Sequence, residues 1–138
     1  MSPGPSLGSR REAREEALAF LYGQEITGAT VADGLAERIA PLERYAEQMV
    51  AGVEADRERI DALIADHLRG WRLERMAMVD RAIARMATWE LVHRPDVPTG
   101  VVLSEAVELA TLYGGEDSSR FLNGVLRAVA DTVRPEPG

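Results

Sequence analysis

The sequence predicts an all-α fold, six or seven helices in one compact bundle with short connections. Three observations predict it. Apolar residues recur at three- and four-residue spacing through most of the chain. No stretch alternates apolar and polar residues as a half-buried strand does. Glycine and proline fall between the periodic stretches, where helices stop.

Taken in order, residues 1–8 are mostly Pro, Gly and Ser and read as a disordered lead. Ser9-Arg10-Arg11-Glu12 matches a capping box, in which the Ser hydroxyl takes an orphan N–H and the Glu reaches back. A first helix then spans about residues 10–26, with Ala13, Ala17, Leu18, Phe20, Leu21 and Ile26 as its buried face and Gly28 as its stop. Thr30 to Asp33 forms a weaker capping box and opens a short helix to about residue 39. Pro41 suits the first turn of the next helix, whose stripe is Leu42, Tyr45, Ala46, Met49, Val50 and Val53. The acidic run Glu54 to Asp61 holds a break. Ile60, Leu63, Ile64 and Leu68 then continue a helical stripe to a stop at Gly70.

In the second half, Val79, Ala82, Ile83, Met86 and Trp89 form a stripe that ends near His93. Arg94-Pro-Asp-Val-Pro98 is a linker, because its prolines do not continue a helix. Val101, Val102, Ala106, Leu109 and Leu112 mark a helix closed by Gly114-Gly115. Phe121, Leu122, Val125, Leu126 and Val129 mark the last one, with Asp117 or Ser118 as its cap. Residues 9–133 thus read as a single helical domain, and residues 134–138 as a frayed tail.

Composition narrows the function. There is no cysteine, so disulfides, thiolate metal sites and a cysteine nucleophile are excluded. His67 and His93 are the only histidines and lie far apart, so no zinc site is expected. No apolar run reaches the roughly 18–20 residues of a membrane span, and no secretory signal is visible. The chain carries 16 basic residues, all arginine, against 23 acidic ones, a net charge of −7. By segment the charge is 0 for residues 1–22, −6 for 23–66, +2 for 67–98 and −3 for 99–138. Net acidity argues against non-specific nucleic-acid binding, which rests on phosphate neutralisation, but leaves room for a local basic surface. An enzyme is not expected. There is no Gly-rich phosphate loop, no nucleophile with a neighbouring base, and no cofactor motif.

Three constellations stand out. Arg10, Arg11 and Arg14 lie near one helical turn and suit phosphates through the planar guanidinium fork; the alternative is a solvated face neutralised by Glu12, Glu15 and Glu16. Glu116 to Phe121 precedes the last helix. There Arg120 adds charge and Phe121 offers a ring for an unpaired base, or else simply joins the core. Glu90 lies near an apolar stripe and needs a partner, with Arg85 or Arg94 as candidates.

Four stretches together resemble the NusB transcription antitermination factors. They are Arg10-Arg-Glu-Ala-Arg-Glu-Glu-Ala-Leu-Ala-Phe-Leu-Tyr22, Val79-Asp-Arg-Ala-Ile-Ala-Arg-Met-Ala-Thr-Trp-Glu-Leu91, Val97-Pro-x-x-Val-Val-Leu-Ser-Glu-Ala-Val-Glu-Leu-Ala110 and Glu116-Asp-Ser-Ser-Arg-Phe-Leu-Asn-Gly-Val-Leu126. The resemblance implies two packed helical halves and a non-enzymatic, cytoplasmic, bacterial protein. It implies binding to the single-stranded boxA element of nascent transcripts, prominently those of ribosomal RNA. The implied protein partner is the small-subunit ribosomal protein NusE, with other Nus factors and RNA polymerase engaged indirectly. It assigns RNA contacts to Arg10, Arg11, Arg14, Tyr22, Asp80, Asp117, Arg120 and Phe121, and a NusE-facing surface to Arg72, Glu74 and Arg75. Asn123 and Gly124 are read as structural, the glycine permitting close helix approach. Glu12 stands where the family often has another arginine, and residues 1–8 lack charge, which predicts weak RNA binding without NusE. The alternative is a protein-interaction module of the same fold that binds NusE with little RNA affinity, in some members as a homodimer. An RNA-modifying enzyme subunit ranks behind both, because no methyl-donor site is present.

Overall fold

The structure, a computed structural model, describes residues 7–135, with side chains described from residue 10 onward. Among these residues the chain forms seven α-helices and one 3₁₀ turn, with no strand. They are α1 (Leu7–Thr27), α2 (Val31–Ala36), α3 (Arg44–Ala55), α4 (Arg57–Ala65), α5 (Met78–His93), α6 (Thr99–Gly114) and α7 (Glu116–Val133), with the 3₁₀ turn Leu73–Arg75 ahead of α5.

Helix α5 is the axis of the fold. Every residue from Ala82 to Leu91 is buried, as expected of a helix surrounded on all sides. Helices α1, α3 and α4 pack on it from one half, and α6 and α7 from the other. Val102, Ala106, Leu109, Leu122, Leu126 and Val129 close the second half, and Ala17, Leu18, Met49, Val50, Val53 and Ile60 the first. The two meet in one continuous core.

Local chemistry sets the breaks, and several lie away from their expected places. Helix α1 already includes Leu7, so Ser9 is an interior helical residue and not a cap. Residues 1–6 of the expected lead lie outside the described residues. Thr30 caps α2 as expected, its hydroxyl accepting from the Asp33 N–H at 3.0 Å, but the helix stops at Ala36. Pro41 lies ahead of α3, whose cap is the Glu43 carboxylate, accepting from the N–H of Tyr45 and Ala46. The Glu43 N–H donates in turn to Glu16 on α1 at 2.6 Å. The break in the acidic run falls at Asp56. Helix α4 ends at Ala65, short of Gly70, which sits in the turn that follows.

The α6–α7 corner depends on two glycines. Gly115 adopts φ 94°, a region that residues with a Cβ avoid. A Cβ on Gly114 would lie 2.6 Å from the Ser118 hydroxyl, so the chain turns there with no room for a side chain. Asp117 and Ser118 therefore lie inside the first turn of α7, and neither caps it. Gly124 faces open space and not a neighbouring helix.

Two polar clusters cross the core. Oε1 of Glu25, near the end of α1, faces three arginines: Arg85 at 2.8 Å, Arg81 at 3.3 Å and Arg57 at 3.7 Å. Arg85 also grips both oxygens of Asp61. At the other end, Arg134 is no frayed residue. Its guanidinium donates to the carbonyls of Glu90, Leu91, Arg94 and Val97 and to the Thr99 hydroxyl, and so holds the α5–α6 linker. Residues 136–138 lie outside the described residues.

Candidate nucleic-acid interface

The three arginines of α1 do not form an open phosphate grip. Arg14 is 2% exposed. It donates to both oxygens of Glu90, each at 2.8 Å, and the Tyr45 hydroxyl donates to the same carboxylate at 2.7 Å. Burial works against the charged guanidinium, but Glu90 outweighs it and raises the Arg14 pKa. Burial, and then the same carboxylate, push the Tyr45 hydroxyl well above its ordinary range. Arg14 is thus a core residue, with no guanidinium surface open to a phosphate. It also supplies the partner that Glu90 needs, while Arg85 pairs with Asp61 and Glu25, and Arg94 with Asp96.

Arg10 and Arg11 lie nearer the surface, and both face acids. Arg10 lies over the Tyr45 ring at 4.7 Å, as Arg94 does at 4.9 Å, and reaches Asp96 at 3.6 Å. Arg11 donates to Glu105 at 3.1 Å and to Glu108 at 2.8 Å. These carboxylates compete with any phosphate for the same guanidinium protons.

Tyr22 lies on the same stripe of α1 as Arg11, about three turns further along, or roughly 16 Å. It is 41% exposed. It borders an apolar groove of about 570 Å³ floored by Leu18, Ala19 and Val79 and flanked by Met78 and Tyr113. Tyr113, 55% exposed, stands at the end of α6. The sequence reading missed it, since a tyrosine between Leu112 and Gly114 carries no periodic signal. Two exposed tyrosyl rings with polar tips, one wall of apolar side chains and Glu15 at the rim make a site for planar, partly polar groups.

Beside this groove, α5 and α7 begin next to each other. The Ser118 hydroxyl donates to Asp80 Oδ2 at 3.0 Å. Asp80 Oδ1 is buried without a partner. Burial raises the Asp80 pKa, and the Ser118 hydrogen bond only partly offsets it. Asp80 is therefore a buried link between two helix starts. Asp117 is exposed. Arg120 is exposed and borders the separate α6–α7 groove with Ser104 and Arg127. Phe121 is half-buried, its ring 6.4 Å from that of Trp71 at 59°. It packs against the core with part of its surface open to solvent.

Trp71, 57% exposed, is the second residue that the sequence reading passed over. It shares a shallow groove with Asp61, Ala62, Ala65, Arg72, Leu73, Glu74 and Arg75. Among the described residues, Arg72 and Arg75 enter no ion pair. No helix is long and apolar enough to cross a membrane among the described residues.

The family model described as the NusB family matches residues 11–131. The transcription antitermination protein NusB of Symbiobacterium thermophilum is 47% identical, over 94% of this chain and 94% of its own length. That of Myxococcus xanthus is 41% identical, over 90% and 96%. Among solved structures, T. maritima NusB superposes with a TM-score of 0.80 at 32% identity, covering 88% of this chain and 90% of its own. A chain of the crystal structure of antitermination factors NusB and NusE in complex with dsRNA matches at TM-score 0.76 and 27% identity, covering 89% and 96%.

Proposed function

The chain belongs to the NusB family, and from that premise we propose that it acts as a transcription antitermination factor. It binds the boxA element of nascent transcripts, those of ribosomal RNA included, as a complex with the ribosomal protein NusE. It works in the cytoplasm, without catalysis of its own. The observation that carries this reading is the likeness, over nearly the whole fold, to a chain solved with NusE and dsRNA.

The residues divide the work as follows. Tyr22 and Tyr113 present rings at the end of the α1 groove, where an unpaired base stacks and its edge meets the tyrosyl hydroxyls. Phe121 offers a third ring on the far side of the Asp80–Ser118 link. Arg11 and Arg120 supply phosphate contacts, Arg11 only by exchanging its carboxylate partners. Arg10 makes the same exchange with Asp96. Asp117, exposed at the start of α7, accepts from a base amino group. Because the α1 arginines are already neutralised, few phosphate contacts are free, and NusE supplies the rest of the RNA-binding surface.

Fluorescence anisotropy with a short boxA-like RNA and a scrambled control tests this, with and without NusE, at two salt concentrations. Selective binding strengthened by NusE is expected. Each phosphate contact contributes about −0.7 to the slope of log affinity against log salt. Binding to NusE with no preference for boxA overturns the RNA reading.

A further inference from the structure

We propose that Trp71, Arg72 and Arg75 form a second RNA station, which takes nucleotides of a single strand that continues beyond the Tyr22 groove. The inference rests on the RNA-binding reading above and assigns to RNA a surface that family resemblance gives to the protein partner.

Four observations carry it. First, charge: the protein is acidic overall, yet residues 69–75 hold three arginines and one glutamate. Arg72 and Arg75 have no acid partner among the described residues, unlike Arg10, Arg11 and Arg14. Two acids share their groove: Asp61, already gripped through both oxygens by Arg85, and Glu74, one carboxylate against the two arginines. The local field therefore attracts phosphate where the field of α1 is neutralised.

Second, the ring. Trp71 leans on Phe121 with a large part of its surface free. The shallow groove around it mixes Ala62, Ala65 and Leu73 with Asp61, Glu74 and the arginines. A protein anchor side chain needs apolar walls to exclude water. A base needs only a π-face and a nearby cation.

Third, preorganisation. The segment is tied down from both sides. Leu68 and Met76 are buried at its ends. Arg81 reaches back to the carbonyls of Leu73 and Glu74, and the Arg75 N–H bonds to the Arg72 carbonyl at 3.0 Å. The backbone that carries the ring and the two arginines is held on a fixed turn, so little backbone ordering opposes binding.

Fourth, continuity. Phe121 touches Trp71 on one side, and one helical turn away Ser118 bonds Asp80 at the edge of the Tyr22–Tyr113 groove. The aromatic residues Tyr22, Tyr113, Phe121 and Trp71 thus line one path across the starts of α5 and α7.

The test uses the full chain with NusE and two RNAs, a boxA-like oligonucleotide and the same one lengthened by a few unstructured nucleotides at either end. The lengthened RNA is expected to bind more tightly and to quench Trp71 fluorescence, since the other tryptophan, Trp89, is buried. Trp71→Ala is expected to remove about 5- to 150-fold of affinity for the long RNA, the range of one lost base stack, and Trp71→Tyr to restore most of it. Arg72→Ala with Arg75→Ala is expected to flatten the salt slope by about 1.4, two phosphate contacts on a single strand. Tyr22→Ala serves as the control for the parent reading. If Tyr22→Ala weakens both RNAs while the Trp71 and arginine variants change neither, the second station is refuted and the parent reading stands. If neither RNA binds, both fall. If the Trp71 and arginine variants instead weaken NusE binding measured without RNA, the surface belongs to the protein partner and the inference is overturned.

Discussion

Replacing Arg14 with alanine removes both hydrogen bonds that Glu90 receives from the guanidinium. Both side chains are 2% exposed, so water does not replace them. What remains on the carboxylate is the Tyr45 hydroxyl at 2.7 Å. Breaking a buried pair from one side costs about 3–5 kcal/mol, and the surviving hydroxyl puts this case near 3 kcal/mol. Unfolding entropy of about 2.1 cal/mol/K per residue converts that into a Tm lower by roughly 10 °C for a domain of this length. Urea unfolding followed by far-UV circular dichroism measures it directly. Arg14→Met with Glu90→Leu and Tyr45→Phe removes the pair and its hydroxyl, leaving Glu105, 4.0 Å from Arg14, to Arg11, and is expected to recover most of the loss. Salt dependence of RNA binding, measured on the folded fraction, is expected to be unchanged in Arg14→Ala. A loss under about 1 kcal/mol, with a salt slope lower by about 0.7, would refute the argument and return Arg14 to the phosphate grip.

Further outcomes follow from other contacts. Asp80 has a folded-state pKa raised by burial. Its carboxylate therefore costs stability above that value, and the cost fades as pH falls through it towards the ordinary Asp range. Asp80→Asn is expected to raise Tm at neutral pH, with the gain shrinking as pH drops into that window; a gain independent of pH rejects the assignment. Arg134→Ala loses five hydrogen bonds to the α5–α6 linker and is expected to cost about 2–3 kcal/mol, read as a shift in urea midpoint. Two glycines predict opposite signs. Gly124→Ala meets open space inside α7 and is expected to stabilise by about 0.5–1 kcal/mol. Gly52→Ala would place its Cβ 2.0 Å from Trp89 Nε1, which is expected to destabilise by about 1–3 kcal/mol and to shift Trp89 emission.

The helices themselves were legible because burial imposes spacing: Val79 to Trp89 and Phe121 to Val129 announce their stripes directly. Helix ends were less so. Ser9, Pro41, Asp117 and Ser118 all have the chemistry of a helix start, and each lies one to three residues from the real one. Cap residues satisfy orphan N–H groups only where tertiary packing ends the helix, and packing is not local. Arg14 carried a signal that went unused. It sits three and four positions before Ala17 and Leu18, on the buried stripe, and Glu90 sits four after Met86 on another. Opposite charges on two apolar stripes are each intolerable alone, and their pairing satisfies both. Tyr113 and Trp71 had no such signal. Each is a lone aromatic beside a glycine, and only the fold shows what lies next to it.

The junction at Glu25 makes one proton disproportionately consequential. Burial opposes its carboxylate, but Arg85 and Arg81 outweigh it and lower the pKa below the usual carboxylate range. Above that value the charge on Oε1 holds Arg57 of α4 and Arg81 and Arg85 of α5 against the end of α1. Below it, the same oxygen becomes neutral and no longer ties the three arginines to α1, leaving Arg57 and Arg85 to Asp61. Repulsion among the guanidiniums then meets less counter-charge at the place where three helices meet. In strong acid the molecule is expected to come apart first along this seam, with α4 drifting from α1, while the helices of the other half still pack on α5.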